Sequence, residues 1–361
     1  MHRQKSNHFI EKINKTIPPK KMKKEKHGKI QNTTYKTRKS ATTIRIVRTI
    51  KRKTGGSNRK KINCAPVVEG KSIHENTCFT PEIMIQLKAA YNNKFPDDRI
   101  QSEQPNEIWK ILHDKINQKT CNKKNEICWI DTLIPHKKMR EKMKDLFFRP
   151  EQPKEWTDNP DEWLSNYDIF EVAKQYEEVY PSFKMISPTS IDFDDKRKNE
   201  PEMCVSTELC NFSLANWMKK GKDKFGIVFN LDKHYEPGSH WVTLWVDVPE
   251  KVIVFFDSAG NGLPEEVDTL IQRIVKQGNS FKMEFQIYNN GRHAHQSGNT
   301  ECGMYSLFFI ITMLTGKIPP PSDGAVERVL TMKERIDLFM KGNIHDKTVF
   351  DYRDLYFNPH G

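Results

Sequence analysis

The thirteen residues from Cys302 to Leu314 are apolar on almost every side of any helix they form, with Met304, Leu307, Phe308, Phe309, Ile310, Ile311, Met313 and Leu314 distributed around the full turn. A bilayer core needs about 20 such residues, so this run is too short to cross one. A helix apolar all round must instead be the buried spine of a globular domain. The rest of the chain has to supply a shell thick enough to cover it, and that requirement points to an α+β domain over residues 166–361.

The shell is legible upstream. Phe225-Gly226-Ile227-Val228-Phe229 is an apolar run short enough for a buried strand. Trp241 to Val248 and Lys251 to Phe256 read as two more strands, joined at Pro249-Glu250 as an antiparallel hairpin. Phe281 to Tyr288 alternates as a further strand. Helices are expected over Ile169 to Tyr180 and from Pro264 to about Lys276, the latter with Val267, Leu270, Ile271 and Ile274 on one side.

Residues 61–165 read as a helical extension. Thr80-Pro81-Glu82 is a helix start, followed by Ile83, Met84, Leu87, Ala90 and Tyr91 on one stripe. A second helix is predicted over Asn106 to Ile116. Pro150, Pro153 and Pro160 mark a linker at 150–162. Residues 1–60 read as a basic, mostly disordered tail. They hold 20 Lys/Arg against Glu11 and Glu25, a net of +18 in a chain whose total is +12, so the remainder is mildly acidic at about −6. The basic character therefore belongs to the tail, which is suited to binding nucleic acid or another polyanion electrostatically. No membrane role is indicated.

Seven cysteines at scattered positions do not suggest a disulfide scaffold, and free thiols in a reducing compartment are expected. Cys64, Cys78, Cys121 and Cys128 with His74 or His113 make a poor zinc site, since no CxxC pair is present. No metal or cofactor is expected.

One cysteine stands apart. Cys302 heads the apolar helix, where unsatisfied N–H groups and the positive end of the dipole favour thiolate over thiol. His240 begins the Trp241 strand and Asp257 ends the next one, so a tight hairpin would bring them face to face as a base and its orienting group. Gln296, six residues before Cys302, can donate to a developing oxyanion together with the Cys302 backbone N–H. Each has a plain alternative: a small core thiol, a rim histidine, a turn aspartate, a solvated loop amide. Their joint placement at the ends of the right elements argues for a cysteine-nucleophile acyl-transfer site.

Three blocks carry a resemblance: Ser239-His240-Trp241-Val242-Thr243-Leu244, Phe256-Asp257-Ser258 and Gln296-Ser297-Gly298-Asn299-Thr300-Glu301-Cys302-Gly303. They resemble the catalytic blocks of the ubiquitin-like-protein-specific and adenain-like cysteine proteases, most closely over residues 220–315. Residues 64–100 and 166–235 are similar to the thiol proteases of large cytoplasmic DNA viruses. The family's usual Asp before the nucleophile is Glu301 here. The resemblance implies a papain-like fold with a central mixed sheet and a buried helix carrying the nucleophile. It assigns Cys302 as nucleophile, His240 as general base and acid, Asp257 as orienter and Gln296 as oxyanion donor. Trp241 would wall a channel that admits Gly-Gly ahead of the scissile bond. The function implied is cleavage of viral structural precursors in the virion and host cytoplasm. Three alternatives stay open: a deubiquitinase- or deSUMOylase-like isopeptidase, a protein acyltransferase using the same triad, and a non-catalytic nucleic-acid-binding packaging protein. Gly55-Gly56-Ser57, at the end of the tail, has the form of a substrate for such a site.

Overall fold

The computed structural model describes residues 63–119, 121, 126–318 and 329–359. The basic tail and its Gly55-Gly56 pair lie outside those residues.

Four helices come first: α1 (Pro81–Lys94), α2 (Pro105–Lys119), α3 (Glu126–Leu133) and α4 (Lys137–Phe147). Pro81 occupies the first turn of α1, although the Thr80 hydroxyl makes no capping bond to it. The apolar stripe of α1 is buried at Ile83, Met84, Leu87 and Tyr91, and packs with Ile108, Trp129, Met143 and Phe147 in a core of its own. Glu126, at the start of α3, is sealed inside this core. It accepts from the Cys78 backbone N–H and from Trp109 Nε1–H, and burial pushes its carboxyl up to about 7.

The chain then continues through α5 (Asn166–Lys174), the strands β1 (Phe183–Met185), β2 (Thr189–Ser190), β3 (Lys196–Arg197) and β4 (Glu200–Cys204), and the short helices α6 (Thr207–Cys210) and α7 (Leu214–Lys219). Next come β5 (Lys224–Asn230), β6 (Trp241–Asp247), β7 (Val252–Phe256), α8 (Glu265–Asn279), β8 (Gln286–Asn289) and α9 (Cys302–Thr315). Three further helices close it: α10 (Met332–Lys341), α11 (Asp346–Asp351) and α12 (Arg353–Tyr356). A six-stranded sheet runs β1-β5-β6-β7-β8, with β2 also paired to β5. β5, β6 and β7 are antiparallel neighbours, whereas β1, β2 and β8 join parallel, so the sheet is mixed.

Every residue of β6 and β7 is buried, because both faces of the sheet are covered. Alternation assigns the faces. Val242, Leu244, Val246, Ile253 and Phe255 pack against α8, while Trp241, Trp245, Val252, Val254 and Phe256 pack against α9 and the C-terminal helices. The apolar run from Cys302 is thus the spine the sequence anticipates, with all residues from Cys302 to Leu314 buried. Gly316 ends it in the left-handed conformation, φ 69°, where a side chain would be strained.

Three expectations change. The strand foreseen from Phe281 begins only at Gln286, because Phe281 and Met283 both donate backbone bonds to Gly278 and the chain is still turning out of α8 there. The proline-rich 150–162 stretch is not a free connector: Gln152 N–H donates to the Asn358 carbonyl, and Trp156 is buried with Nε1–H on the Glu162 carbonyl. Six cysteines are not free thiols but pair as Cys64–Cys78, Cys121–Cys128 and Cys204–Cys210, with Cα separations of 5.2, 6.0 and 6.5 Å. Those separations lie within bridging range, and folding sets them; spacing along the chain does not reveal them. Cys302 is the free cysteine among the described residues.

Candidate active site

His240 sits at the head of β6. Its carbonyl accepts from Leu231 N–H across the mouth of β5, and the loop before it is knotted by Asp232, which takes the Ser239 hydroxyl and the Gly238 N–H. The hairpin register pairs Thr243 with Phe256, which brings the head of β6 beside the residue that follows β7. That residue is Asp257. His240 Nε2–H donates to Asp257 Oδ1 at 2.6 Å, and the ring also hydrogen-bonds Cys302. With Nε2 committed to the carboxylate, Nδ1 is the nitrogen left to face the sulfur. The structure therefore brings Cys302, His240 and Asp257 into one chain of contacts from three elements.

The electrostatics follow from burial and pairing. Burial pulls the His240 imidazolium down, but the hydrogen bonds to Asp257 and Cys302 and their negative charge outweigh it and raise the ring to about 9. For Asp257 the balance has the opposite sign. Burial pushes its carboxyl up, yet the His240 bond and backbone N–H groups of Asn261 and Ala259 hold it below the ordinary carboxylate range.

Gln296 lies in the loop before α9 with its amide partly committed. Its Oε1 accepts from the Ser258 hydroxyl at 2.7 Å, and one Nε2–H reaches the Gly298 carbonyl at 3.0 Å, leaving one N–H. Trp241 is buried with Nε1–H on the Leu164 carbonyl at 2.9 Å. Leu164 also lies over the start of α9. A Cβ on Gly303 would meet Leu164 Cβ at 2.9 Å, so the residue after Cys302 has room for hydrogen alone.

Several residues of the site escape the sequence reading. Ser258 orients Gln296 from directly after Asp257, a polar neighbour that could have been noticed. Asn290 holds the Asp257 backbone, donating to its carbonyl at 2.6 Å and accepting its N–H at 2.9 Å. His295, in the loop before α9, is buried with Nε2–H on the Phe339 carbonyl, and burial lowers its tendency to protonate. His293 reaches the Gly342 carbonyl at 2.7 Å. Glu301 and Arg353 form a buried ion pair. Nothing in the local sequence marks these partners, which lie tens of residues away. The sulfurs of Cys64, Cys78, Cys121 and Cys128 bond to one another, which removes them as zinc ligands. Among the described residues no helix is long and apolar enough to cross a membrane.

Residues 180–352, which include His240, Asp257, Gln296 and Cys302, match the Ulp1 protease family, C-terminal catalytic domain. A thiol protease of Acanthamoeba polyphaga mimivirus is 29% identical over 280 residues, covering 72% of this chain and 86% of that protein. The cysteine protease of African swine fever virus is 29% identical over 153 residues, covering 41% of this chain and 56% of that protein. The crystal structure of the African swine fever virus protease superposes with a TM-score of 0.52 at 20% identity, covering 82% of this chain and 96% of that one, a likeness of fold. Residues 180–352 are thus a catalytic domain of the Ulp1 protease family, the domain of a cysteine protease.

Proposed function

We propose that this cysteine protease matures viral structural precursors, cutting after Gly-Gly-type sites with Cys302 as nucleophile, His240 as acid and base, and Asp257 as the group that orients it. The observation that carries this reading is the hydrogen-bonded run Asp257–His240–Cys302, with the sulfur at the N-terminus of α9. Thiolate adds to the scissile carbonyl and a C–S bond forms. Charge moves onto the oxygen, where the free Gln296 N–H and the Cys302 backbone N–H are the donors at hand. His240 then delivers its proton to the amine as the C–N bond breaks, leaving a thioester. Water loses a proton to His240 and adds to the thioester carbonyl, and the C–S bond breaks to release the acid and restore the thiolate–imidazolium pair.

Trp241, its indole fixed by Leu164, is the wall of the substrate channel in this reading. With Cys302 only 1% exposed, an extended chain without bulky side chains suits the approach, which favours glycine before the cut. The virion and host cytoplasm are the proposed places of action, and the basic residues 1–60 the proposed polyanion contact. A second reading is isopeptide hydrolysis from a ubiquitin-like modifier, favoured by the name SUMO-1 cysteine protease carried by relatives in African swine fever virus. Both use the same residues.

The test is turnover of a fluorogenic Gly-Gly peptide beside a panel of ubiquitin-like fusions. Cys302→Ala is expected to lower turnover of either by about 10⁴-fold or more. Its labelling by iodoacetamide should vanish too. Retained turnover in that variant would remove the assignment. Cys204→Ala is a poor control, since it would liberate the Cys210 thiol. The paired substitution of both cysteines by serine avoids this.

A further inference from the structure

The loop that runs from Gln296 to Cys302 is held at both ends by one short stretch of the C-terminus. At its first end, Asp346 at the start of α11 accepts the backbone N–H groups of Ser297 (3.1 Å) and Gly298 (2.8 Å). It also takes the Tyr305 hydroxyl, one turn into α9, at 3.0 Å. At its second end, Arg353 at the start of α12 pairs with Glu301, with the two side chains 8% and 6% exposed. The Arg353 guanidinium is itself fixed, lying 4.1 Å from the Trp156 ring centroid and donating to the Pro160 carbonyl.

We infer that Asp346 and Arg353 are positioning residues for the oxyanion donors. This rests on the acyl-transfer reading above. The geometry gives each a route to one donor. Asp346 places Gly298, and the Gly298 carbonyl takes one Gln296 N–H, so the direction of the other N–H follows from where Asp346 holds the loop. Arg353 places Glu301, whose peptide plane includes the Cys302 N–H. Asp346 bonds to Ser297, Gly298 and Tyr305, and Arg353 to Glu301 and Pro160, none of them the sulfur or His240, so thiolate formation and oxyanion stabilisation can be separated. Two charged groups at both ends of a glycine-containing loop supply what its own residues lack, a fixed conformation before substrate arrives.

The separation is measurable with two reagents. Iodoacetamide alkylates by displacement of iodide, with the new C–S bond formed as iodide leaves, and no oxyanion develops. A Gly-Gly peptide aldehyde accepts the thiolate at its carbonyl carbon, and the carbonyl oxygen becomes the alkoxide or hydroxyl of a tetrahedral adduct that needs the donors. In Asp346→Asn, an amide N–H faces loop N–H groups in place of a charged acceptor. The variant is expected to lose about tenfold in kcat with KM little changed, and to bind the aldehyde about tenfold more weakly. Its alkylation rate should stay within about twofold of the parent. Arg353→Lys, which keeps charge but not the planar fork, should behave alike. Lys347→Ala, on the exposed side of α11, should change none of these. If Asp346→Asn loses alkylation and aldehyde affinity in parallel, or loses neither, the inference is overturned, and this variant decides should Arg353→Lys fail to fold. A parent protein that neither cleaves nor is alkylated at Cys302 removes the acyl-transfer reading and this inference with it.

Discussion

At His240, burial and pairing pull in opposite directions, and pairing wins. The ring is raised to about 9 because the hydrogen bonds to Asp257 and Cys302 at its two nitrogens favour the protonated form. If His240 acts as proposed, the alkaline limb of kcat/KM should fall near pH 9, as the proton needed by the leaving amine is lost. Asp257→Asn removes the charge and should move that limb down towards about 6.5, the unperturbed histidine value, while lowering kcat/KM by about 100-fold. A pH–rate profile of both proteins checks this, and an unmoved limb would count against Asp257 as the orienter. Stability has a matching sign. A histidine raised in the folded state contributes fully below its unfolded value of about 6.5, and the contribution is lost as the pH rises through 9. The residue types of this constellation are visible in the sequence, because hairpin geometry ties His240 to Asp257 and a helix start identifies Cys302. Asn290, Asp346 and Arg353 are not, because each acts on backbone or charge far away along the chain.

Among the elements, the apolar ones were the most legible. α9, β5, β6 and β7 lie within a residue or two of their anticipated ends, since burial on all sides leaves an unbroken apolar run. β8 was misjudged because alternation from Phe281 mimics a strand where backbone bonds to Gly278 make a turn. The disulfides belong to this scale too. Cys64–Cys78 ties the chain ahead of α1 to its N-terminal approach, closing a loop with a sequence separation of 14. Replacing both cysteines by alanine should cost about 3 kcal/mol if the loop entropy is the main term. That loss would appear as a lower Tm of the protein, with cleavage at 25 °C largely kept. An unchanged Tm would show that the pair contributes little.

On the scale of the molecule, the helical core of α1–α4 and the layers around the sheet meet through polar ties. Gln175 donates to the carbonyls of Asp145 and Phe148, Arg149 to the Tyr176 hydroxyl, and Asn63 exchanges bonds with Asn358. Since Asn63 is anchored on the C-terminal segment, deleting residues 1–60 removes none of these contacts. Peptide turnover by such a truncation is expected to stay within about twofold of the full chain. Salt-sensitive DNA binding should weaken, with a shallower slope of log K against log salt as Lys and Arg contacts are lost. Collapse of turnover would instead make the tail part of the catalytic machinery. The sequence by itself determined the buried spine, the hairpin, the placement of Cys302, His240 and Asp257 at the ends of their elements, and the confinement of net positive charge to the first sixty residues. All of these are local or periodic properties, written into short runs of residues. Only the tertiary structure decided which cysteines meet, that Leu164 closes over Gly303, and that the loop before Cys302 is held from Asp346 and Arg353. These depend on distances between segments far apart in the chain, which no local pattern encodes.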